Sequence, residues 1–336
     1  MAKLVGFGDF LLRLGPKGYL RFVQAREFEV NYTGAEANVC VSLAVLGMDT
    51  EFVTRVPRNE IAEAGINELN RFGVETDHVA FGGERLGVYY IEKGASQRGS
   101  NVVYDRKHTA ISECRYDDFD WDAIFSGATD FYITGITPAL SKTIAPVCVE
   151  AVRTAKAKGL RVSCDLNYRR KLWTEEEARA TMQALLPYLD VLIVNEEHAD
   201  RILGVRARDG IMSERERYAD IAGQISERYG IRAVAVTTRR GDSASENTCG
   251  GMLYTGGTAY FSREYRIHIV DRIGGGDAFT AGLLYGMMNG YDPQKTVEFA
   301  AAACCLKQTV ELDFNLADAN EVLRLMGGDG SGRVRR

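Results

Sequence analysis

The chain has 336 residues, 46% hydrophobic and 26% charged, with only 6 prolines; this excludes disordered and low-complexity proteins and suits one large domain or two ordinary ones. A formal net charge of −5 argues against a nucleic-acid partner, whose phosphates select for clustered positive charge. No stretch approaches the roughly 20 consecutive apolar residues of a membrane helix, and the first residues lack the pattern of a secretory signal, so a cytoplasmic protein with no membrane partner is expected.

Between Val5 and Tyr32 apolar and polar residues alternate in short pieces, Tyr19–Val23 and Phe28–Tyr32 among them, which is the period of half-exposed strands. From Ala35 to Leu46 the period is helical, and Gly47 supplies a stop. A second strand-like region, Leu86 to Asp105, holds Val88–Ile91 and Asn101–Tyr104 around a Gly/Ser-rich turn. Residues of about 9–33 and 86–106 are therefore expected to pair as one small sheet. Beyond it, apolar strands at Asp130–Thr134, Arg161–Asp165, Val191–Asn195 and Ala233–Thr237 alternate with amphipathic helices. The helices fall at Ser141–Lys158, Glu175–Leu186, Arg215–Tyr229, Ala278–Met288 and Pro293–Gln308. Such alternation predicts a doubly wound, mainly parallel α/β sheet flanked by helices, with the small β-sheet as a lid. The domain is expected to span about 1–325, leaving 326–336 as a flexible tail. Seven scattered cysteines without CxxC spacing indicate neither a disulfide framework nor a zinc site, and Cys304 and Cys305 read as small core residues.

The most informative segment is Val270–Gly282, where Gly274, Gly275 and Gly276 lead through Asp277 into an amphipathic helix. Glycines let backbone N–H groups turn inward, and at a helix start those unpaired donors and the dipole make an anion pocket. Asp277 then has two readings: a base that takes the proton of an attacking hydroxyl, or a helix cap. The segment is neither a GxxxxGK[ST] loop nor a GxGxxG fingerprint, and Gly6-Phe7-Gly8-Asp9 lacks the third glycine of the latter.

The run Asp271-Arg272-Ile273-Gly274-Gly275-Gly276-Asp277-Ala278-Phe279 closely resembles the C-terminal signature of ribokinase-like (PfkB) sugar kinases. Thr33-Gly34-Ala35-Glu36-Ala37-Asn38-Val39 followed by Leu43-Ala44-Val45-Leu46-Gly47 resembles that family's N-terminal sugar-binding signature, with Thr33 in place of its first glycine. The resemblance covers about residues 3–325. It implies ATP and Mg²⁺ dependence, Asp277 as catalytic base, Gly274–Gly276 as the anion hole, and a lid that often forms a homo-oligomer contact.

Within the family the sequence is most similar to 2-keto-3-deoxygluconate kinases, through Gly87-Val88-Tyr89-Tyr90, Val103-Tyr104-Asp105-Arg106-Lys107 and Asp165-Leu166-Asn167-Tyr168-Arg169. That similarity implies a sugar-acid substrate held by Gly34, Asn38, Tyr89, Tyr104, Arg106 and Arg169. The chemistry agrees, since a planar guanidinium binds a carboxylate with two hydrogen bonds. It further implies ATP contacts from Asn167, Asn195, Thr238, Arg239, Gly241, Gly274 and Gly276, and Glu197 acting on Mg²⁺ through water. Asp105 stands where the branch often has Tyr, which puts a negative charge beside the expected carboxylate site. His198 reads as a surface helix residue. Fructose or another keto-deoxy sugar acid is the alternative substrate, and a nonenzymatic sugar or nucleotide sensor the alternative class.

Overall fold

In the computed structural model, which describes residues 2–211, 213–241 and 243–330, the first strand, β1 (Lys3–Phe7), is buried along nearly its whole length, as a strand covered on both faces must be. It is followed by β2 (Leu11–Gly15), β3 (Glu29–Thr33), α1 (Ala35–Val45), β4 (Asp49–Val53), α2 (Glu60–Arg71), β5 (Gly87–Glu92) and β6 (Asn101–Asp105). Then come β7 (Asp130–Thr134), α3 (Ile144–Ala157), β8 (Arg161–Asp165), α4 (Glu175–Leu185), β9 (Val191–Ile193) and α5 (Glu214–Tyr229). The chain ends through β10 (Ala233–Gly241), β11 (Glu246–Thr255), β12 (Thr258–Phe261), β13 (Tyr265–His268), α6 (Gly275–Met288), α7 (Pro293–Lys307) and α8 (Ala319–Met326). Capping side chains start several helices: Asn59 accepts from Ala62 N at the head of α2, and Thr174 forms a capping box with Glu177 at α4.

Among the described residues the large sheet runs β12-β11-β10-β9-β8-β7-β1-β4, with β13 also on β11. From β4 through β10 every pairing is parallel, and the β10–β11, β11–β12 and β11–β13 pairings are antiparallel. Helices α3, α4 and α5 bury their apolar faces on one side, through residues such as Ile144, Met182 and Ile225. On the other side α6 and α7 pack with Phe279 and Phe299 fully buried, and α1 fills the remainder beneath β1 and β4. Gly282 is what lets α6 approach α7, since a Cβ there would press on the Ala300 backbone. No helix among the described residues is long and apolar enough to cross a membrane. All seven cysteines are buried free thiols, and Cys304 and Cys305 sit in the core as expected.

The second sheet has the order β3-β2-β5-β6 and a parallel central pair, β2 with β5. It unites the two strand-rich inserts, but not with the strands the alternation suggests. Tyr19–Val23 is not a strand: Gly18 takes a left-handed turn (φ 57°) and Phe22–Gln24 forms a short 3₁₀ turn. Phe22 instead packs with Phe28 and Tyr90, while Leu11–Gly15 supplies the partner of β3. Two other boundaries shift for local reasons. The strand at Val191 ends at Ile193 because the Asn195 side chain turns to accept from His198 N at 2.7 Å. The helix expected from Ala278 starts at Gly275. The expected tail lies mostly in 331–336, outside the described residues.

Candidate active site

A cleft of about 460 Å³ opens where the carboxyl ends of the parallel strands meet the small sheet. In the large sheet β1 lies between β4 and β7, and the chain crosses from β4 on one side of it to β7 on the other, so the cleft sits at the reversal of strand order where open α/β sheets bind ligands. Its walls include Gly34 and Asn38 from α1, Tyr89 and Tyr104 from the small sheet, Arg106, Asn167 and Arg169 from loops, and Gly274–Asp277.

Gly274 is the N-cap of α6 and holds a left-handed φ of 79°, a conformation that glycine adopts without strain. A Cβ at this position would collide with the Asp313 carbonyl, so the approach of the two loops depends on its absence. The first intrahelical bond runs from Ala278 N to Gly274 O (2.8 Å), which leaves the amides of Gly275, Gly276 and Asp277 without helical partners. Nothing stands within 4 Å of where a Gly276 Cβ would be, so the amide row is open. Asp277 lies within the first turn and is not the cap, which removes the capping reading. Its Oδ2 accepts from Asn38 Nδ2 at 2.7 Å, fixing the carboxyl against α1. Desolvation pushes the Asp277 carboxyl up to about 7; the Asn38 bond opposes this, Asp165 and Asp313 add to it, and Arg169 opposes it.

The opposite wall is basic and aromatic. Arg106 donates from Nη2 (2.6 Å) and Nε (3.1 Å) to the buried Asp9, and its guanidinium lies 5.0 Å from the Tyr104 ring centre. Held on two sides, it needs little further ordering to receive an anion. Asp105 does not crowd this wall: alternation on β6 turns it outward, where it pairs with Arg85 at 2.8 Å. The expected negative charge beside the carboxylate site is thus absent from the cleft. Tyr89 faces inward from β5 and donates its hydroxyl to Asp313.

Toward β8, β9 and β10 the lining is Asp165, Asn167, Asn195, His198, Thr237, Arg239 and Arg272. Asn167 holds a left-handed φ of 39°, a conformation asparagine tolerates, and its N–H donates to Asp165 Oδ1 at 3.0 Å. Burial of the Arg272 side chain leaves its Nε without a hydrogen-bond partner. A second guanidinium, Arg239, lines the same cleft, and this pair with the amide row suits a polyanion such as a nucleotide triphosphate. Thr238 turns from the cleft into a smaller recess with Arg240 and Glu264, and Gly241 sits in the β10–β11 ladder opposite Asn247. Glu197 is exposed and pairs with Arg201 at 3.1 Å, on a neighbouring recess. His198 is not the surface residue expected: it lines the cleft edge-on to Tyr168, and burial pulls its imidazole down to about 4, so it stays neutral. Among the described residues no three His, Cys, Asp or Glu side chains cluster as a metal cage. The carboxylates in the lining, Asp165 and Asp277 among them, fit a cation that arrives with phosphates and takes one or two protein ligands.

Several site groups carry no motif signal. Asp9 and Arg13 show in the sequence only as charges breaking an apolar run, and Asp313 follows the last long helix with no spacing rule to flag it. Asp165 stands at the head of the Asp165–Arg169 run without a role of its own being read there; it too is pushed up to about 7 by burial and faces the cleft from the end of β8.

Unpaired amides, a desolvated carboxyl beside them and a cationic wall define a site of the phosphotransferase class. The profile of the pfkB family carbohydrate kinases matches residues 1–315. A 2-dehydro-3-deoxygalactonokinase of Haloferax volcanii is 34% identical over 332 residues, covering 98% of each chain. A 2-dehydro-3-deoxygluconokinase of Thermoproteus tenax is 29% identical over 91% of this chain and 88% of its own. The crystal structure of a 2-dehydro-3-deoxygluconokinase from Thermotoga maritima superimposes with a TM-score of 0.94 at 46% identity, covering 97% of this chain and 98% of that one. The chain belongs to the pfkB family of carbohydrate kinases, enzymes that move a phosphoryl group onto an alcohol group of a sugar.

Proposed function

We propose that the protein transfers the γ-phosphoryl group of ATP to the terminal 6-hydroxyl of a 2-keto-3-deoxy sugar acid, with 2-keto-3-deoxygluconate the first candidate and the galactonate epimer the second. The observation that carries the acid specificity is Arg106, held by Asp9 and Tyr104 and lining the same cleft as Asp277. A neutral hexose has nothing that requires a guanidinium there, whereas a carboxylate can use its free edge and Arg169 together. Relatives named for both epimers support the substrate class and leave the epimer to experiment.

In this reading Asp277, kept in place by Asn38, takes the hydroxyl proton as the oxygen attacks. The amides of Gly275, Gly276 and Asp277 receive the charge on the transferring group. Arg239 and Arg272 hold the nucleotide phosphates, with Asn167 and Asn195 beside them. Mg²⁺ arriving with the nucleotide would supply charge neutralisation, and Asp165, in the cleft lining beside Asn167, would be a carboxylate available to hold it. The small sheet acts as a lid that keeps water from the site. Val30 (61%) on β3 and Val23 (86%) and Tyr19 (54%) in the β2–β3 connection are exposed together on the lid, which supports a homo-oligomer formed through it. The test of function is a coupled ADP-release assay over a panel of sugars. The keto-deoxy acids should turn over at least about tenfold more efficiently than fructose, the size of one good charge-assisted contact. Equal efficiency with fructose would favour a neutral-sugar kinase, and no ADP release with any sugar would favour a sensor.

A further inference from the structure

The junction between the small sheet and α1 carries a buried hydroxyl that the proposed chemistry does not use. Thr33 ends β3, opposite Leu11 of β2, and its side chain is turned inward and buried. Its Oγ1 lies 2.9 Å from Asn38 Oδ1 and 2.7 Å from Asp313 Oδ2. Asn38 stands one turn into α1, 4% exposed, with its backbone N–H bonded to the Gly34 carbonyl at 2.7 Å. The side-chain amide of Asn38 is thus held at both ends: Nδ2 donates to Asp277 Oδ2 at 2.7 Å, and Oδ1 is turned to Thr33.

A threonine hydroxyl has one proton to donate. The Asp313 carboxylate already receives the Arg13 guanidinium on Oδ1 and the Tyr89 hydroxyl on Oδ2. Among the described residues Asn38 Oδ1 has no donor but Thr33. We propose that Thr33 is a positioning residue for phosphoryl transfer: by bonding Asn38 Oδ1 it keeps the amide in the orientation that presents Nδ2 to Asp277. The inference rests on the reading of Asp277 as the base. An amide oxygen buried without a donor is costly. Without the hydroxyl, Asn38 relieves that cost by turning its side chain, and the turn releases Asp277. The reacting carboxyl then loses the fixed geometry on which transfer depends, and the loss falls on the rate of transfer, not on ATP binding. Thr33 stands where the N-terminal signature has its first glycine. Glycine has no hydroxyl to offer, so the clamp is a property of this chain's own residue.

The experiment is a double-mutant cycle on the full chain, read as the single-turnover transfer rate at saturating ATP and the best substrate of the panel. Thr33→Val keeps the shape and removes the hydroxyl; transfer should slow roughly three- to tenfold, the effect of one lost neutral hydrogen bond, with ATP affinity by calorimetry unchanged. Thr33→Ser, which keeps the hydroxyl, should transfer close to the wild-type rate. In an Asn38→Ala background Thr33→Val should cost nothing further, because the group it acts through is gone. No slowing in Thr33→Val, an equal loss in the Asn38→Ala background, or a Thr33→Ser as slow as Thr33→Val means that the residue serves Asp313 or packing alone and overturns the proposal. Thr33→Ala takes the place of Thr33→Val if that protein does not fold, with the same criteria. Asp277→Asn distinguishes the two readings: retained turnover overturns the base assignment and this inference with it, whereas lost turnover with additive Thr33 and Asn38 losses overturns this inference alone.

Discussion

Gly274 and Gly276 are two residues apart in the amide row, yet the structure assigns them different consequences on substitution by alanine. At Gly274 an added Cβ meets two costs: the left-handed φ of 79°, and collision with the Asp313 carbonyl. The conformational cost alone is about 1–2 kcal/mol. The loop behind Asp313 is tied to Lys307 and Arg13 and can yield little, so a total of about 3–5 kcal/mol is expected, the range of severe single substitutions. An unfolding entropy of about 2.1 cal/mol/K per residue over 336 residues converts this to a fall in Tm of roughly 4–7 °C. At Gly276 the site of the added Cβ is open. Gly276→Ala should therefore melt within about a degree of the wild type, since alanine favours a helix, while its methyl group stands over the amides and lowers kcat/KM at least tenfold, about the 1.4 kcal/mol of one hindered hydrogen bond. Calorimetry with steady-state kinetics on both variants makes the comparison. Equal Tm values, or an active Gly276→Ala with an inactive Gly274→Ala at matched folding, would refute the assignment of close packing to one glycine and of the open anion site to the other.

Other outcomes follow from the same geometry. Arg106→Lys keeps the charge but loses the two-pronged hold of Asp9; KM for the sugar acid should rise at least about tenfold with little change for ATP, as steady-state kinetics will show. On the proposed reading Asp277 acts ionised, and since its carboxyl is pushed up to about 7, kcat/KM should fall as pH drops through that value. Asp165 is pushed to the same range, so the pH–rate limb reports apparent values of the two together. Val30→Glu on the exposed face of β3 should lower the oligomeric mass seen by sedimentation velocity while leaving the far-UV spectrum unchanged.

The parallel body is legible in the sequence because buried strands such as Asp130–Thr134 and Arg161–Asp165 are short apolar runs between amphipathic helices, and both match the structure residue for residue. The antiparallel edge is not: the paired glycines and mixed polarity of β11 lack a clean period, and β13 alternates strictly but over only four residues. The Tyr19–Val23 expectation fails because alternation alone does not distinguish a strand from a loop whose aromatic residues pack locally. In the site, Gly274–Asp277 is legible because an anion pocket needs glycines in sequence next to a helix start. Arg106 and Arg169 are legible only through their motif setting. Arg13 meets Asp271 and Asp313, and Asp9 meets Arg106, each from distant parts of the chain, and their meaning is a property of the three-dimensional pairing. Spacing along the chain cannot supply it.

The most direct measurement is a single-turnover, rapid-quench assay of phosphoryl transfer by Asp277→Asn, with ATP affinity measured in parallel by calorimetry. The account predicts near wild-type ATP binding and a transfer rate reduced by at least about a hundredfold, the scale of a lost general base. A transfer rate close to wild type in that variant would contradict it.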